Sequence, residues 1–477
     1  MRTPERHSSA RFGHHRAQVA IVLTTVLAAA CAPSDSVPAS ADAVLYQGAR
    51  LILGDGNVIE SGAMLVEGDR IVAVGNTGAV DAPAGVTTVD LSGRTVIPAL
   101  IDAHAHLGYE GYSAWGADSY TRENLIENLE RYAYYGFGAV FSAGSDPDDF
   151  ALDLKRAQEA GEVGGARFVF AAGMAPPGQG PNNQFLVHTV TVAERTGMTV
   201  LRGIATEDDA RTAVRDVAAK GIPFVKIWVD DRGGSQQKLA PELYRAVISE
   251  ARANNLSVVV HQQSTDDMPG LLDAGVTGFL HGRLGPSLDA ALAARIRETG
   301  AFLVPNLGLG ELRRERVADD LFLQEAVHPA VLARLGAAFD ARPTSGGGGG
   351  GAGGGEQALR ESFGHLLTAG VDVVLGTDAG AVPDHFFGYT GHRELEIFVR
   401  LGMTPMQAIV AATSRPAEKL GLRDMGTLAP GKSADFVVLD GNPLDGIRNT
   451  RSISSVYLRG RPVDRDGLRS RWTVGTQ

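Results

Sequence analysis

Histidine, lysine and aspartate side chains close or interrupt short apolar runs at several points of this sequence. His104 and His106 stand in the stretch Asp102-Ala103-His104-Ala105-His106, after an apolar run that begins at Val96. In an extended strand, residues two apart point to the same side, so both imidazoles can reach one metal ion. Similar side chains recur further along the chain: Lys226, His261, His281 and Asp378.

Lys226 differs from the others because it lies inside the apolar run Phe224–Val229. A bare ammonium is costly to bury there, so this lysine needs a partner or a modification. Taken singly, each of the six has an ordinary explanation: a hydrogen-bonded core histidine, a lysine paired with a carboxylate, or an aspartate that shapes a turn. Taken together and in chain order, they predict a shared metal site. Because Cys31 is the one cysteine, the ligands must be His, Asp, Glu or Lys.

The elements that carry these residues alternate short apolar strands with longer helical stretches, which is typical of βα units in a parallel sheet. Eight strand candidates occur, at Val96–Ile101, Ala139–Ser142, Phe168–Ala171, Phe224–Val229, Ser257–Val260, Gly278–Leu280, Phe302–Pro305 and Val371–Leu375. They predict an α/β fold, a (β/α)8 TIM-type barrel whose active site lies at the C-terminal ends of its strands.

Both ends of the chain have a different texture, in which short apolar runs alternate with turn residues. Such runs occur at Val44–Tyr46, Arg50–Leu53, Ala63–Val66, Ile71–Val74, Asp435–Leu439 and Ser455–Leu458. They predict a small β-sandwich domain built from both chain ends, at 44–95 and 426–465. The barrel then occupies 96–425, and 466–477 is a C-terminal tail.

The N-terminal segment has the order of a secretory signal, with four arginines followed by an uncharged apolar run at 17–30. Its end, Leu27-Ala28-Ala29-Ala30-Cys31, resembles a bacterial lipoprotein box, although the leucine stands one place earlier than is usual. Ordinary cleavage at an A-x-A site therefore stays open. We predict a signal peptide at 1–31, a linker at 32–43, and an exported protein of the periplasm or cell envelope. Its membrane contact would be a lipid at Cys31.

Composition narrows the classes of protein that remain. With 44% hydrophobic and 21% charged residues, the chain of 477 is not disordered as a whole. Removal of residues 1–30 would move the formal net charge from −11 to −14, which argues against a nucleic-acid partner. A glycine-rich insert at 346–355 is expected to be mobile, either as a passive surface loop or as a substrate lid.

The metal-site residues, the run Val96–Asp102 and three later stretches together resemble the metal-dependent amidohydrolase superfamily. The later stretches are His392–Glu396, Gly402–Pro405 and Pro430–Asp435. These later stretches resemble the branch around imidazolonepropionase and the metal-dependent dipeptidases, and the resemblance as a whole covers about Val44 to Val463. The motif set is specific to the superfamily, but it does not specify a substrate.

The resemblance implies a binuclear metal centre with two divalent ions. His104, His106 and Asp378 would bind the more buried ion, and His261 and His281 the more exposed one. Lys226, as a carbamate formed with CO2, would bridge them. Zinc is the default metal, with manganese, cobalt and iron left open. A metal-bridging hydroxide would attack the scissile carbonyl, and Asp378 would act as general base and then acid.

Substrate-binding residues are less clearly indicated. Arg232, in the loop after Lys226, could grip a substrate carboxylate or form a loop salt bridge with Asp230 or Asp231. His385 follows the eighth strand and is a further candidate. Tyr109, Tyr112 and Trp115 could line an apolar pocket or simply pack under a loop. The loop 173–183 departs from the glycine- and histidine-rich loop of many relatives.

The leading interpretation is an exported hydrolase that cuts a C–N bond in a small molecule, such as an N-acyl amino acid, a dipeptide or a cyclic amide. One alternative is an esterase, lactonase or phosphotriesterase that uses the same binuclear site. Another is a non-catalytic barrel that serves as a binding lipoprotein. Deaminase chemistry is disfavoured because the deaminases of this superfamily generally lack the bridging lysine.

Overall fold

A computed structural model describes residues 43–111, 114–282, 284–311, 315–342 and 355–474. The signal peptide with Cys31, the linker up to residue 42, Tyr112, and the glycine insert up to residue 354 lie outside the described residues. Within the described ranges, no helix is both long enough and apolar enough to cross a membrane.

The described residues form strands and helices in the order expected for a barrel that is flanked by a sheet. The strands are β1 (Ala43–Ile52), β2 (Val58–Glu67), β3 (Arg70–Asn76), β4 (Thr87–Asp90), β5 (Thr95–Pro98), β6 (Leu100–Ala105), β7 (Phe137–Ala143), β8 (Arg167–Ala175), β9 (Leu201–Gly203), β10 (Phe224–Val229), β11 (Ser257–Gln262), β12 (Gly278–Leu280), β13 (Phe302–Val304), β14 (Phe436–Leu439), β15 (Ile453–Leu458) and β16 (Arg461–Pro462). The helices are α1 (Arg122–Tyr134), α2 (Asp148–Glu159), α3 (Asn183–Thr196), α4 (Glu207–Ala219), α5 (Pro241–Ala253), α6 (Met268–Ala274), α7 (Ala290–Thr299), α8 (Gly308–Glu311), α9 (Leu321–Gln324), α10 (Pro329–Asp340), α11 (Gly355–Ala369), α12 (Tyr389–Leu401), α13 (Pro405–Ala411), α14 (Ser414–Lys419) and α15 (Arg465–Val474). Short 3-10 helices lie at Ala117–Ser119, Thr265–Asp267, Val317–Asp319 and Ile447–Arg451.

The two ends of the chain build one small β-domain, as the sequence predicts, and its strands form a single mixed sheet. Its strand order is β16-β15-β14-β5-β1-β2-β3, and β4 pairs with β1. The sheet has its own hydrophobic cluster, to which β1 contributes Tyr46 and Leu51 and β14 contributes Phe436. The rings of Phe436 and Tyr457 stack at 4.6 Å across the β14–β15 pair. Both ends are thus joined in one small β-domain.

The parallel barrel follows the order β13-β12-β11-β10-β8-β7-β6, and β9 pairs only with β8. The strand predicted at Val371–Leu375 is not a regular strand, but the segment 371–379 still closes the barrel between β13 and β6. Val374 N donates to Leu303 O at 2.9 Å, and Ala103 N donates to Leu375 O at 3.0 Å. The backbone turns within this segment, with Asp378 in the left-handed region at φ 62°. These turns interrupt the regular ladder.

The strand predicted at Val96–Ile101 is in fact two strands that belong to different sheets. β5 pairs with β14 in the β-domain, whereas β6 pairs with β7 in the barrel. The change occurs at Ala99, whose N–H donates to Asp435 O, while the next N–H, of Leu100, donates to Gly136 O. Because this apolar run is buried on both sides, its composition carries no sign of the change of sheet. His104 therefore lies within β6 rather than after it.

The inside of the barrel is filled by apolar side chains from most of its strands, including Ile101, Phe141 and Phe224. Leu420, Leu422 and Met425, from the segment after α14, belong to the same cluster. The opposite ends of the strands are therefore left to carry the polar side chains.

The C-terminal tail predicted at 466–477 is helical as far as Val474. Trp472 of α15 is buried and packs against the ring of Tyr134 at 5.6 Å and the guanidinium of Arg131 at 4.4 Å. A large aromatic ring that leaves water in this way holds the helix on α1.

Candidate metal centre

Five of the six metal-ligand candidates lie in or directly after barrel strands. His104 is the fifth residue of β6, and His106 follows that strand directly. Lys226 is the third residue of β10 and His261 the fifth of β11. His281 follows β12, and Asp378 lies in the segment that closes the barrel. Three of these residues are thus inside strands, where the paired backbone restricts their position more than a loop would.

His104, His106 and Asp378 form a compact group of buried donor atoms. His104 Nε2 lies 3.3 Å and His106 Nε2 lies 3.1 Å from Asp378 Oδ1. Ligand atoms of the three residues all lie within 4.8 Å of one another, so together they could hold a metal ion. The left-handed backbone of Asp378 lets its N–H donate to His104 O at 2.7 Å while its carboxylate faces the imidazoles.

The other candidates border this group. His281 Nε2 lies 3.7 Å from Asp378 Oδ2, and the His281 ring centroid lies 4.9 Å from that of His104 and 4.5 Å from that of His261. The Lys226 side chain is fully buried, with Nζ 5.2 Å from the Trp228 ring centroid. Its charge interacts with Asp378. The histidines of three different strands are thus brought into one chain of ring contacts.

Three further side chains orient the histidines, and the sequence interpretation did not assign this role to any of them. His104 Nδ1 bonds to Asn306 Oδ1 at 2.9 Å, and His106 Nδ1 bonds to Ser145 Oγ at 2.8 Å. His261 Nε2 bonds to Asp230 Oδ2 at 3.1 Å. In each ring a bond at one nitrogen leaves the other nitrogen for a ligand, which is the usual support of metal-binding histidines.

Asn306 lies two residues after the end of β13 and directly after the apolar run Phe302–Pro305, so its position resembles that of the other candidates at strand ends. Its residue type gives no signal of a metal site, because a carboxamide is not among the usual metal ligands. Its Oδ1 also accepts from the His281 N–H at 3.2 Å. One side chain therefore contacts two candidate ligands from different strands.

The protonation states suit metal binding. Burial lowers the pKa of His281 to about 3 and also lowers the pKa of His104, His106 and His261. Burial alone would raise the pKa of Asp378, but the surrounding histidines hold it below its usual range. Neutral imidazoles and an ionised carboxylate are the forms that bind metals.

Burial lowers the pKa of the Lys226 ammonium to about 7, because few groups compensate its charge. Near neutral pH a large fraction of this amine is therefore uncharged. Lys226 Nζ and His104 Nε2 are both buried, and neither has a hydrogen-bond partner among the described residues. Buried polar atoms in native proteins are nearly always paired, so these two fit a site built to hold divalent ions.

Asp102, in the first motif, supports the site through hydrogen bonds to the elements that carry its ligands. Its carboxylate accepts from Thr377 Oγ1 at 2.6 Å, Tyr132 OH at 2.8 Å, His104 N at 3.0 Å and Thr377 N at 3.1 Å. Burial raises its pKa to about 6 despite these bonds. The carboxylate links β6 to the closing segment and to α1, and so fixes Asp378 relative to the histidines.

Arg232 forms the loop ion pair that the sequence left as one of two possibilities. Its Nη1 lies 2.9 Å from Asp230 Oδ2, and its Nη2 donates to Gly180 O at 3.1 Å. The guanidinium is largely buried, and its recognition of a substrate carboxylate stays a prediction.

Two aromatic residues that the sequence offered as pocket lining form hydrogen bonds to loop backbone. Tyr109 is buried and its hydroxyl donates to Ser145 O, and Trp115 Nε1 donates to Gly380 O. Both residues therefore pack and brace loops.

His385 is buried and lines a small cavity. It does not belong to the group of donor atoms formed by His104, His106 and Asp378.

The loop 173–183 and the loop after β10 are joined by hydrogen bonds. Gln236 Oε1 accepts from Gly180 N at 3.0 Å, and Gln236 Nε2 donates to Pro181 O at 2.8 Å. The departure from the relatives' loop thus occurs in a segment that is braced against the Arg232 loop.

The parallel barrel, the sheet from both chain ends and the candidate metal centre at one barrel end define a barrel hydrolase. Residues 95–463 match the model of the amidohydrolase family. The chain belongs to that family, and the resemblance that the motifs carry is confirmed. It is a hydrolase of a class that acts on carbon–nitrogen bonds.

Curated relatives include two imidazolonepropionases. The enzyme of Streptomyces griseus subsp. griseus is 26% identical over 413 residues, which cover 81% of this chain and 88% of that protein. The enzyme of Deinococcus radiodurans is 27% identical over 426 residues, which cover 86% of this chain and 93% of that protein.

Solved structures of similar fold include a prolidase in complex with N-methylphosphonate-L-proline. It has a TM-score of 0.68 and 26% identity, covering 88% of this chain and 99% of that chain. Phenylurea hydrolase B has a TM-score of 0.70 at 23% identity, covering 91% of this chain and 100% of that chain. At that identity the second likeness shows the fold alone.

Proposed function

We propose that this protein is an exported, metal-dependent hydrolase that cleaves the C–N bond of a small amide, cyclic amide or dipeptide. The observation that carries the proposal is the facing set of His104, His106 and Asp378 donor atoms, with the amine of Lys226 buried beside it. Such a set is costly to bury unless a cation is bound to it. The names of the imidazolonepropionase and prolidase relatives support the choice of a C–N bond.

In this proposal the six side chains would hold two divalent ions. His104, His106 and Asp378 would hold one ion, and His261 and His281 the other. Lys226 would serve both as a carbamate, which forms when its neutral amine nitrogen adds to the carbon of CO2 and loses a proton. Zinc suits a donor set of nitrogen and oxygen atoms. Carbamylation would also remove the buried positive charge of the lysine.

Bound there, two divalent ions would supply a hydroxide at neutral pH and polarise the scissile carbonyl. The chain's own contribution is orientation and proton transfer. Asp378 takes the proton of the attacking water on its carboxylate and passes it to the leaving nitrogen. Asn306 and Ser145 keep the Nε2 atoms of His104 and His106 directed at Asp378.

Water exclusion next to His106 is provided by aromatic packing. The Phe185 ring lies 5.1 Å from the His106 ring and 4.7 Å from the Tyr109 ring, measured between centroids. Trp115 packs behind Phe185 at 5.9 Å. A low-dielectric wall of this kind strengthens the electrostatic interactions on which the reaction depends.

The test is metal content by elemental analysis of protein purified without chelator. Wild type should hold about two metals per chain, and Lys226→Ala should hold clearly fewer. Lys220→Ala is the matched control, because Lys220 is partly exposed at the end of α4 and pairs with Asp149 at 3.0 Å. A wild-type protein that stays empty after incubation with zinc, manganese and bicarbonate would refute the metal-dependent mechanism.

Export is a separate part of the proposal and depends on the arginine-rich, then apolar, then small-residue order before Cys31. Fractionation of cells that express the full chain tests it. Wild type should reach the envelope, and Cys31→Ala should lose membrane association if the cysteine is lipidated. Recovery of wild type in the cytoplasm with an uncleaved N-terminus would contradict export.

A further inference from the structure

The cavity that His385 lines opens between α10 and the loops that follow β13 and the barrel-closing segment. Its volume is about 240 Å³. The apolar part of its wall includes Leu309, Val317, Leu335, Ala338, Phe339 and Val382. We propose that this α10 cavity is the substrate subsite that receives an apolar, uncharged substituent of the scissile amide, an aryl or branched alkyl group. The inference rests on the proposed hydrolysis of a C–N bond.

Two segments of the α10 cavity wall lie close in the chain to residues of the metal centre. Leu309 comes three residues after Asn306, whose carboxamide bonds to His104, and Val382 comes four residues after Asp378. Because n residues span at most about 3.6 Å × n, these wall residues lie within about 11 Å and 14 Å of the centre's backbone. That reach is comparable with the size of a small amide.

A third wall segment makes a similar connection. Gln184 lines the cavity and immediately precedes Phe185, whose ring lies 5.1 Å from the His106 ring. Segments that contact His104 and His106, and the segment that carries Asp378, therefore continue into the cavity wall. One substituent of a substrate bound at the centre would be within reach of the cavity.

The charges of the wall favour an uncharged occupant. Its two acidic residues already have cationic partners: Glu315 pairs with Arg393, and Asp384 pairs with Arg334 at 2.8 Å. Arg342 packs its guanidinium over the Phe339 ring at 5.3 Å. With both acids neutralised, the cavity offers no net negative charge for an ammonium, and apolar atoms form about half of its surface.

The cavity volume limits the size of the substituent that the α10 cavity can receive. Pockets for whole drug-sized ligands measure about 300–1,000 Å³, so about 240 Å³ accommodates part of a substrate and not all of it. A phenyl or branched alkyl group gains most from such a site, because burial of apolar surface drives binding. A methyl group gains little.

Two neighbouring alanines of α10 allow a matched test. Ala337 and Ala338 are both exposed, and only Ala338 lines the cavity. Ala338→Phe places a ring in the subsite, and Ala337→Phe adds the same ring outside it. The assay compares kcat/KM for amide pairs that share the scissile bond and differ in one substituent, phenyl against methyl, tested on the acyl side and on the amine side.

On either the acyl side or the amine side, wild type should have a higher kcat/KM for the phenyl substrate than for the methyl substrate. Ala338→Phe should lower kcat/KM for that phenyl substrate about tenfold or more and change the methyl substrate by less than about twofold. Ala337→Phe should change neither. An equal loss on both members of the pair, or no loss on either, would overturn the subsite. If Ala338→Phe does not fold, Phe339→Ala enlarges the same cavity and should shift the preference towards a naphthyl group; an unshifted preference would overturn the subsite.

A binding measurement separates failure of this inference from failure of the proposed function. If no amide is hydrolysed, the proposed function fails, and calorimetric titration with N-benzylacetamide then tests the cavity alone. Binding that is weakened about tenfold or more by Ala338→Phe and unaffected by Ala337→Phe would support the subsite. Equal binding by wild type and both variants, or no binding by wild type, would overturn it.

Discussion

The hydrogen bonds of Asn306 to the histidines lead to a prediction about metal affinity. The test distinguishes the effect of the Asn306 side chain from that of its left-handed backbone conformation. Asn306 Oδ1 accepts from His104 Nδ1 at 2.9 Å and from His281 N at 3.2 Å, and the residue is buried. Its backbone lies in the left-handed region at φ 51°. Glycine adopts that conformation without steric cost, so Asn306→Gly removes the carboxamide and leaves the turn intact.

The magnitude follows from the two bonds that are lost. A neutral hydrogen bond contributes about 0.5–1.5 kcal/mol net, and loss of a partner that orients a metal ligand lowers metal affinity by about 10- to 100-fold. That factor corresponds to about 1.4–2.8 kcal/mol, in agreement with the loss of one to two bonds. We therefore expect Asn306→Gly to bind zinc about 10- to 100-fold more weakly than wild type.

The assay is competition for zinc against a chelator of known affinity, with thermal unfolding of the metal-free proteins measured in parallel. Asn255→Gly is the matched control, because Asn255 has φ 59° and is exposed between α5 and β11. It should leave zinc affinity unchanged. Asn306→Asp keeps an acceptor oxygen and should retain most of the affinity.

Unchanged zinc affinity in Asn306→Gly would refute the reasoning, because it would mean that the His104 ring needs no partner at Nδ1. An equal loss in Asn255→Gly would refute it in another way, by attributing the effect to the flexibility of glycine. A loss in Asn306→Asp as large as in Asn306→Gly would show that the acceptor oxygen is not what supports the histidines.

Two further predictions concern stability. Burial, followed by the charge of Asp384, raises the pKa of Glu110 to about 8. The folded chain therefore favours the protonated acid, and its stability relative to Glu110→Gln should fall as the pH rises from about 4.3, the ordinary pKa of the unfolded acid, to about 8. Denaturant unfolding should show a Gln advantage that is larger at pH 9 than at pH 5 by about 4 kcal/mol, and an equal advantage at both pH values would contradict this. Gly380→Ala should destabilise much more than Gly178→Ala. Both glycines have positive φ, but a Cβ at 380 would fall on His106 O, whereas a Cβ at 178 meets nothing within 4 Å. Calorimetry should give about 1 kcal/mol for Gly178→Ala and clearly more for Gly380→Ala; equal costs would show that the close approach is not rigid.

Local periodicity was sufficient to predict much of this fold. The alternation of apolar runs with helical stretches reflects βα units, and β10 and β12 have the bounds that the sequence predicts. Polar residues at strand ends are easy to identify because an apolar run gives them a strong contrast. Lys226 stood out for the same reason, since a charged side chain in a buried run requires an explanation.

The sequence predictions of secondary structure were wrong where the local pattern carries no information about pairing between distant parts of the chain. Residues 96–101 form one apolar run, yet Ala99 bonds to the β-domain and Leu100 to the barrel. The closing segment 371–379 has a strand-like composition, but its left-handed turn at Asp378 breaks the ladder. Helix α15 depends on Trp472 meeting Arg131 and Tyr134, which lie more than 300 residues earlier in the chain.

The residue types of the site and their order along the chain follow from the sequence, because a strand's period of two and a barrel's parallel strands bring such residues to one end. Their chemical state depends on the tertiary structure. Only the folded chain places Asn306, Ser145 and Asp230 against the histidine rings and removes water from Lys226. Hydrogen bonds and desolvation depend on neighbours that are distant in sequence, and those neighbours determine which ring nitrogen is left to bind a metal.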